Sequence, residues 1–309
     1  MIDRKAAVLI TGTTGMVGGE VLKLLKSEGF ENLLVPARKE LNLTNSGSVN
    51  QYFEKHRPKC VLMLAAKVGG IAANIADPVG FTDENLRIIL NLFDACHQFE
   101  TSKNLFLGSS CIYPKDLPDL ITEDRLLTAP LEPTNEGYAL SKIVGLKLAK
   151  YYYEQFGMLT VCPMLSNVYG DGDHFDLGRA HVLSALVKRF VDARDQNVSE
   201  LALWGTGKAR REFLHSEDAA RAILYFLDYI EVPDHINVGA GKDITINELA
   251  QLIAKEVGYK GAITWDHSKP DGMLRKCLDI TKLTQLGYMP KVSLSEGIRR
   301  TIANYENSK

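Results

Sequence analysis

A short apolar run over residues 6–10 ends in Gly12-Thr-Thr-Gly15-Met-Val-Gly18, and helical periodicity over residues 16–26 begins inside that turn. No other feature restricts the fold so strongly. The glycines let the chain pass tightly from a strand into a helix and bring backbone N–H groups to the helix N-terminus, where an anion is favoured. A glycine triplet alone is common. Its place directly after the first strand makes Gly12, Thr14, Gly15, Met16, Val17 and Gly18 a candidate pyrophosphate cradle.

The strand–helix alternation then repeats. Residues 33–35, 60–65, 104–107 and 160–164 read as strands, and residues 46–56, 85–99 and 138–156 as helices. Such units joined by right-handed crossovers predict an α/β fold of Rossmann type: a doubly wound parallel sheet covered on both faces. After about Gly170 the rhythm weakens, with a polar stretch over residues 171–179 and a glycine turn over residues 205–208. Thr245 and Glu248 form a capping box ahead of a helix to about Val257, and a last helix is predicted over residues 295–305. The predicted division is a nucleotide-binding domain over residues 1–170, to which residues 212–240 return, and a smaller C-terminal α/β substrate lobe over residues 171–309.

Composition excludes several function classes. The formal net charge is −2, which offers no surface for nucleic acid or for an anionic membrane. No apolar run approaches the ~18 residues of a membrane span, and the first one is too short for a signal peptide. Five scattered cysteines, Cys60, Cys96, Cys111, Cys162 and Cys277, form neither a disulfide framework nor a metal-type spacing, as expected in a reducing cytoplasm.

Chemistry concentrates between residues 104 and 142. Tyr138 and Lys142 lie four apart on one predicted helix, so their side chains share a face. An ammonium beside a phenol favours the phenolate and is expected to lower the Tyr138 pKa, giving a proton donor or acceptor for a carbonyl undergoing hydride transfer. The strand at 104–107 runs into Gly108-Ser109-Ser110-Cys111, at the strand end where doubly wound sheets bind ligands. The Ser109 hydroxyl there could hydrogen-bond the same carbonyl. Cys60, Cys96 and Cys162 read as packing residues, whereas Cys111 falls close enough to the reaction centre to take a proton alpha to a ketone. Such a base needs a partner acid, and spacing leaves His174, His181, His215 and His235 as equal candidates. After the second strand, Arg38 stands where an acid would suit a ribose diol and a guanidinium suits a 2′-phosphate, so NADP(H) is the expected cofactor.

Seven ordered segments extend these readings over nearly the whole chain: Ala65-Ala-Lys-Val-Gly-Gly-Ile71, Leu105-Phe-Leu-Gly-Ser-Ser-Cys-Ile-Tyr-Pro-Lys115, Pro130-Leu-Glu-Pro-Thr-Asn-Glu-Gly-Tyr138, Asn167-Val-Tyr-Gly170, His181-Val-Leu-Ser-Ala-Leu186, Trp204-Gly-Thr-Gly-Lys-Ala-Arg-Arg-Glu-Phe213 and Asp271-Gly-Met-Leu-Arg-Lys276. With them the chain resembles the GDP-L-fucose synthase family of the extended short-chain dehydrogenase/reductases. The resemblance implies epimerisation of GDP-4-keto-6-deoxy-D-mannose at carbons 3 and 5, then reduction of the 4-keto group by NADPH, in a homodimer built through helices of the nucleotide-binding domain. It implies that Ser109 and Tyr138 hold the keto oxygen, that Lys142 tunes Tyr138, and that Cys111 and His181 are base and acid. It carries cofactor contacts to Ala65, Lys142, Leu165 and His181, and substrate contacts to Asn167, Arg189, Trp204, Arg211 and Lys276. The chain departs from the family pattern at Asp171-Gly-Asp-His174, at Leu165-Ser166, at Ala209 and at Thr14, where some members carry arginine. The competing expectation is a reductase acting on a related GDP-4-keto-deoxy sugar such as a heptose, with Cys111 and His181 idle.

Overall fold

Three residues of buried aliphatic chain, β1 (Val8–Ile10), begin the central sheet and deliver the chain through the glycine turn into α1 (Met16–Ser27). There follow β2 (Leu33–Leu34), α2 (Ser46–His56), β3 (Cys60–Met63), α3 (Ile71–Ala76), α4 (Pro78–Gln98), β4 (Lys103–Phe106) and β5 (Gly108–Ser109). Next come α5 (Glu136–Phe156), β6 (Thr160–Leu165), β7 (Asn167–Tyr169), α6 (Val182–Asp195), β8 (Glu200–Trp204), β9 (Arg210–His215) and α7 (Ser216–Tyr229). The chain ends with β10 (His235–Val238), β11 (Asp243–Thr245), α8 (Ile246–Val257), β12 (Ala262–Asp266), β13 (Arg275–Lys276), α9 (Thr281–Gln285) and α10 (Leu294–Asn307). This computed structural model describes residues 1–176, 180–231, 234–269 and 271–309; part of the polar stretch read at 171–179 therefore lies outside the described residues.

The main sheet runs β10-β6-β4-β3-β1-β2, with β5 also paired to β6, and every pairing in it is parallel. Parallel strands need both faces covered, which explains why β1, β3 and β6 are buried along their whole length and, Thr160 apart, apolar. α2, α4 and α5 pack over one face and α1 and α7 over the other. A second, smaller assembly contains the sheet β11-β9-β13, with β7 joined to β9, and the parallel pair β8–β12. Its core lies among α6, α8 and α10.

The helices differ from their sequence reading at the start of α4 and at α3, α6, α7 and α9, which have no counterpart in it. α4 starts at Pro78, seven residues before the expected 85, because the Asp77 side chain accepts from the Gly80 N–H at 3.0 Å and proline is suited to the first helical turn. α3 has no counterpart in the reading. It is one and a half turns long, too short for apolar periodicity to register, and Asn74 ties its start by donating to the Gly69 and Gly70 carbonyls.

Candidate active site

Strand order reverses direction between β1 and β3, so a crevice opens at their carboxyl ends. Gly12, at φ +77°, closes in on β3 there: a Cβ at this position would come within 2.8 Å of the Ala65 Cα. A Cβ on Gly18 would meet the Gly12 carbonyl oxygen at 2.1 Å, so the turn admits no side chain at either place. Thr11 locks the crevice. Its hydroxyl donates to the Leu62 carbonyl and accepts from the Leu64 and Ala65 N–H groups, each at 3.1 Å. Gly15 caps α1 without a side-chain hydrogen bond, which leaves the first-turn N–H groups near Met16, Val17 and Gly18 available to an anion. These features fit a dinucleotide pyrophosphate, and Thr14 is exposed at the rim. Arg38 projects into solvent beyond β2, with Glu84 Oε1 3.3 Å from its guanidinium. The same carboxylate faces Lys67 at 3.4 Å.

At the neighbouring strand ends, Ser109, Cys111, Tyr138 and Lys142 come together. β5 pairs Ser109 with Leu165 of β6, so these two expected contact residues are adjacent. The Ser109 hydroxyl donates to Cys111 Sγ at 3.2 Å, the Asn135 amide donates to the same sulfur at 3.4 Å, and Lys276 Nζ lies 4.0 Å away. Three donors on one sulfur suit an atom that accepts and releases a proton. Asn135 was not singled out from the sequence, although it stands three residues before Tyr138 at the start of α5; its side-chain oxygen is buried without a partner among the described residues.

The expected lowering of the Tyr138 pKa is corrected by the structure. Burial pushes the phenol well above its ordinary value, and the nearby Cys111 adds to this, against a smaller opposing effect of hydrogen bonding with Ser109. Lys142 does not offset it. Its ammonium donates to the Leu107 carbonyl at 2.7 Å and sits 5.7 Å from the Tyr138 ring centroid. Burial lowers Lys142 itself to about 8. Desolvation of both groups outweighs the charge–phenol attraction that helix spacing suggests.

His181 stands apart from this cluster. It occupies the N-cap position of α6, its Nδ1 is 3.5 Å from Asp173 Oδ1, and no hydrogen bond joins it to Cys111 or Tyr138 among the described residues. The five expected substrate contacts fall in two groups. Asn167, Arg211 and Lys276 share the small sheet, with Lys276 opposite Arg211 in register. The Asn167 amide donates to the Glu212 carbonyl at 3.0 Å. Arg189 on α6 donates to the Ala202 carbonyl of β8, the strand that ends at Trp204, whose indole is 70 % exposed. Burial lowers the pKa of both Arg189 and Arg211. Both guanidinium groups donate to backbone carbonyls, an arrangement that suits receipt of an anion.

Glu212, also missed from the sequence, holds the group of Asn167, Arg211 and Lys276 in place. It is 1 % exposed and accepts from the Gly241 and Leu278 N–H groups, which ties β9 to the segments after β10 and β13. A run of Arg-Arg-Glu reads as surface charge, so nothing local marks it as buried. No group of three or more His, Cys, Asp or Glu side chains able to hold a metal occurs among the described residues. No described helix is long and apolar enough to cross a membrane.

Comparison with known proteins agrees with this fold. Residues 8–239 match the model of the NAD dependent epimerase/dehydratase family. GDP-L-fucose synthase of Escherichia coli (strain K12) is 44 % identical over 306 residues, covering 96 % of this chain and 95 % of that protein. Among solved structures, a GDP-L-fucose synthetase from Naegleria fowleri bound to NADP superposes with a TM-score of 0.89 at 27 % identity, covering 99 % of this chain and 97 % of that one. A GDP-6-OMe-4-keto-L-xylo-heptose reductase from C. jejuni superposes with a TM-score of 0.93 at 29 % identity, covering 100 % and 99 %. The chain belongs to the NAD dependent epimerase/dehydratase family, in its GDP-L-fucose synthase group.

Proposed function

We propose that the protein converts GDP-4-keto-6-deoxy-D-mannose to GDP-L-fucose, epimerising carbons 3 and 5 and then reducing the 4-keto group with NADPH. The observation that carries this reading is the sulfur of Cys111 under three donors beside Tyr138. A reductase needs only the proton donor; a base at the same carbonyl is what epimerisation adds. The ketone at carbon 4 acidifies the protons on both neighbouring carbons, so one site that steadies the enolate oxygen serves both inversions. Ser109 and Tyr138 hold that oxygen, and Tyr138 later protonates it. A phenol held high by burial keeps its proton until charge develops on the substrate, as an acid should.

The uncapped turn of α1 and the Gly12–Ala65 crevice would hold the dinucleotide pyrophosphate, with Leu165 beside Ser109 and Arg38 near a 2′-phosphate. When bound, the reduced nicotinamide supplies the hydride. Asn167, Arg211 and Lys276 would meet the sugar and diphosphate, while Arg189 and the exposed Trp204 lie where the nucleotide end would rest. A homodimer is part of this reading. α4 and α5 pack side by side, and their outer faces expose Leu90, Leu140, Val144 and Tyr151, an apolar stripe suited to a second copy.

The C. jejuni heptose reductase superposes with the higher TM-score of the two structures, which favours testing a reductase without epimerase activity. Incubation of the protein with GDP-4-keto-6-deoxy-D-mannose and NADPH, with NMR of the product, separates the two. GDP-L-fucose supports the proposal. A reduced but unepimerised sugar overturns it in favour of the reductase.

A further inference from the structure

Asp173 is a carboxylate buried where little in the loop requires one. It precedes α6 in the segment after β7, and its side chain is 3 % exposed. Such burial is tolerated when the charge is tied by donors. Oδ2 accepts from the hydroxyl of Ser184, itself fully buried, and Oδ1 accepts from the His174 backbone N–H at 2.8 Å. With the carboxylate anchored by these two donors, Oδ1 also faces Nδ1 of His181 at 3.5 Å. The His181 ring makes no cap hydrogen bond to α6, and its side chain is 58 % exposed. A loop anchor would explain the Ser184 bond but not an imidazole set against the same carboxylate. The loop also reaches the cofactor turn: a Cβ on Gly172 would lie 3.4 Å from the Met16 Cα.

Resting on the epimerase reading above, we infer that Asp173 is a positioning residue for His181, holding Nδ1–H so that Nε2–H faces the sugar as the proton donor of the epimerisation. The hydrogen bond to Asp173 outweighs burial and raises the His181 pKa. Burial opposes the ionised Asp173, but its hydrogen bonds with His181 and Ser184 hold it below the ordinary carboxylate value. Among the described residues Asp173 is the charged group acting on His181. A raised imidazole pKa keeps the acid form present to higher pH.

The proton balance closes without a co-reactant. The Cys111 thiolate takes the proton from carbon 3 or 5, forming S–H, and the C–H electron pair moves into the enolate. The Nε2–H bond of His181 then breaks as a C–H bond forms on the opposite face, and the enolate returns to the ketone. Solvent removes the Cys111 proton and restores the one on His181, so no net proton is consumed.

The test uses the full chain with Asp173→Asn and Asp173→Glu. NMR titration of the His181 imidazole reads the dyad without any activity: Asp173→Asn should move its pKa down, and Asp173→Glu should recover part of the shift. Exchange of the carbon 3 and carbon 5 protons in D2O, without NADPH, should fall by roughly tenfold or more in Asp173→Asn, within what a positioned acid contributes. Its alkaline limb should move to lower pH, and Asp173→Asn should add no further loss in a His181→Gln background. An unmoved His181 titration, or a loss of exchange equal at every pH and undiminished in His181→Gln, overturns the inference. No exchange in the unaltered protein would instead sink the epimerase reading, and the imidazole titration still decides whether Asp173 holds His181.

Discussion

The Lys276 ammonium lies 4.0 Å from the sulfur of Cys111 across 165 residues of chain, brought there because β13 pairs with β9 at the rim of the small sheet. It is one of three donors directed at that sulfur, with the Ser109 hydroxyl and the Asn135 amide. Lys276→Met should therefore slow solvent exchange at carbons 3 and 5 by about tenfold or more, with NADPH binding unchanged. Equal exchange rates in the two proteins would confine Lys276 to the substrate diphosphate or to packing.

Tyr138→Phe removes the proton donor and little else, because the ring stays in place on α5. Reduction of the 4-keto group should fall by about 100-fold or more, the contribution of a positioned general acid. Isotope exchange in D2O should persist in part, since Ser109 still faces the carbonyl. Turnover within a few fold of the unaltered protein would disprove the role of Tyr138.

Burial of Glu212 raises its pKa to about 7, opposed by the backbone N–H groups of Leu278, Gly241 and Ala240. The folded state thus holds a proton that the unfolded state releases from about pH 4.5 upward. Stability contributed by this group is full below the unfolded value and is lost as pH rises through about 7. Urea unfolding should show a smaller pH slope between 5 and 7 in Glu212→Gln than in the unaltered protein. The same slope in both would assign the pH dependence to other groups.

Glu84 sits 3.3 Å from Arg38, close enough to compete with a phosphate for the guanidinium. Both groups are partly or largely exposed, so the competition is modest. Arg38→Ala should weaken NADPH binding by about tenfold, the loss of one charge-assisted pair, and leave NADH nearly unaffected. Glu84→Gln should shift the preference further toward NADPH. Titration of both cofactors by fluorescence checks this, and equal losses for NADPH and NADH in Arg38→Ala would remove Arg38 from the 2′-phosphate.

How much was legible in the chain follows from the range of each interaction. Strand–helix alternation, the turn at Gly12 and Gly18, and the shared face of Tyr138 and Lys142 are set by neighbours within a few residues. Periodicity therefore recovered the parallel sheet and most of the helices before residue 157, while α6, α7 and α9 went unread. It missed the start of α4 because the deciding contact, Asp77 to the Gly80 N–H, is a cap and not a pattern. It reversed the sign of the Tyr138 shift because spacing shows that Lys142 is near but not that both groups are desolvated, nor that the Leu107 carbonyl accepts a hydrogen bond from the ammonium.

By itself the sequence determined an α/β dinucleotide fold, a Tyr–Lys pair, a serine and a thiol at one strand end, since backbone geometry and short spacing require nothing from the rest of the chain. Only the tertiary structure decided that Asp173 stands behind His181, that Asn135 and Lys276 both face Cys111, and that Glu212 is buried beneath the substrate residues. Those relationships depend on strands and loops far apart in the chain meeting at one place, and on water being excluded there, which no local pattern of residues records.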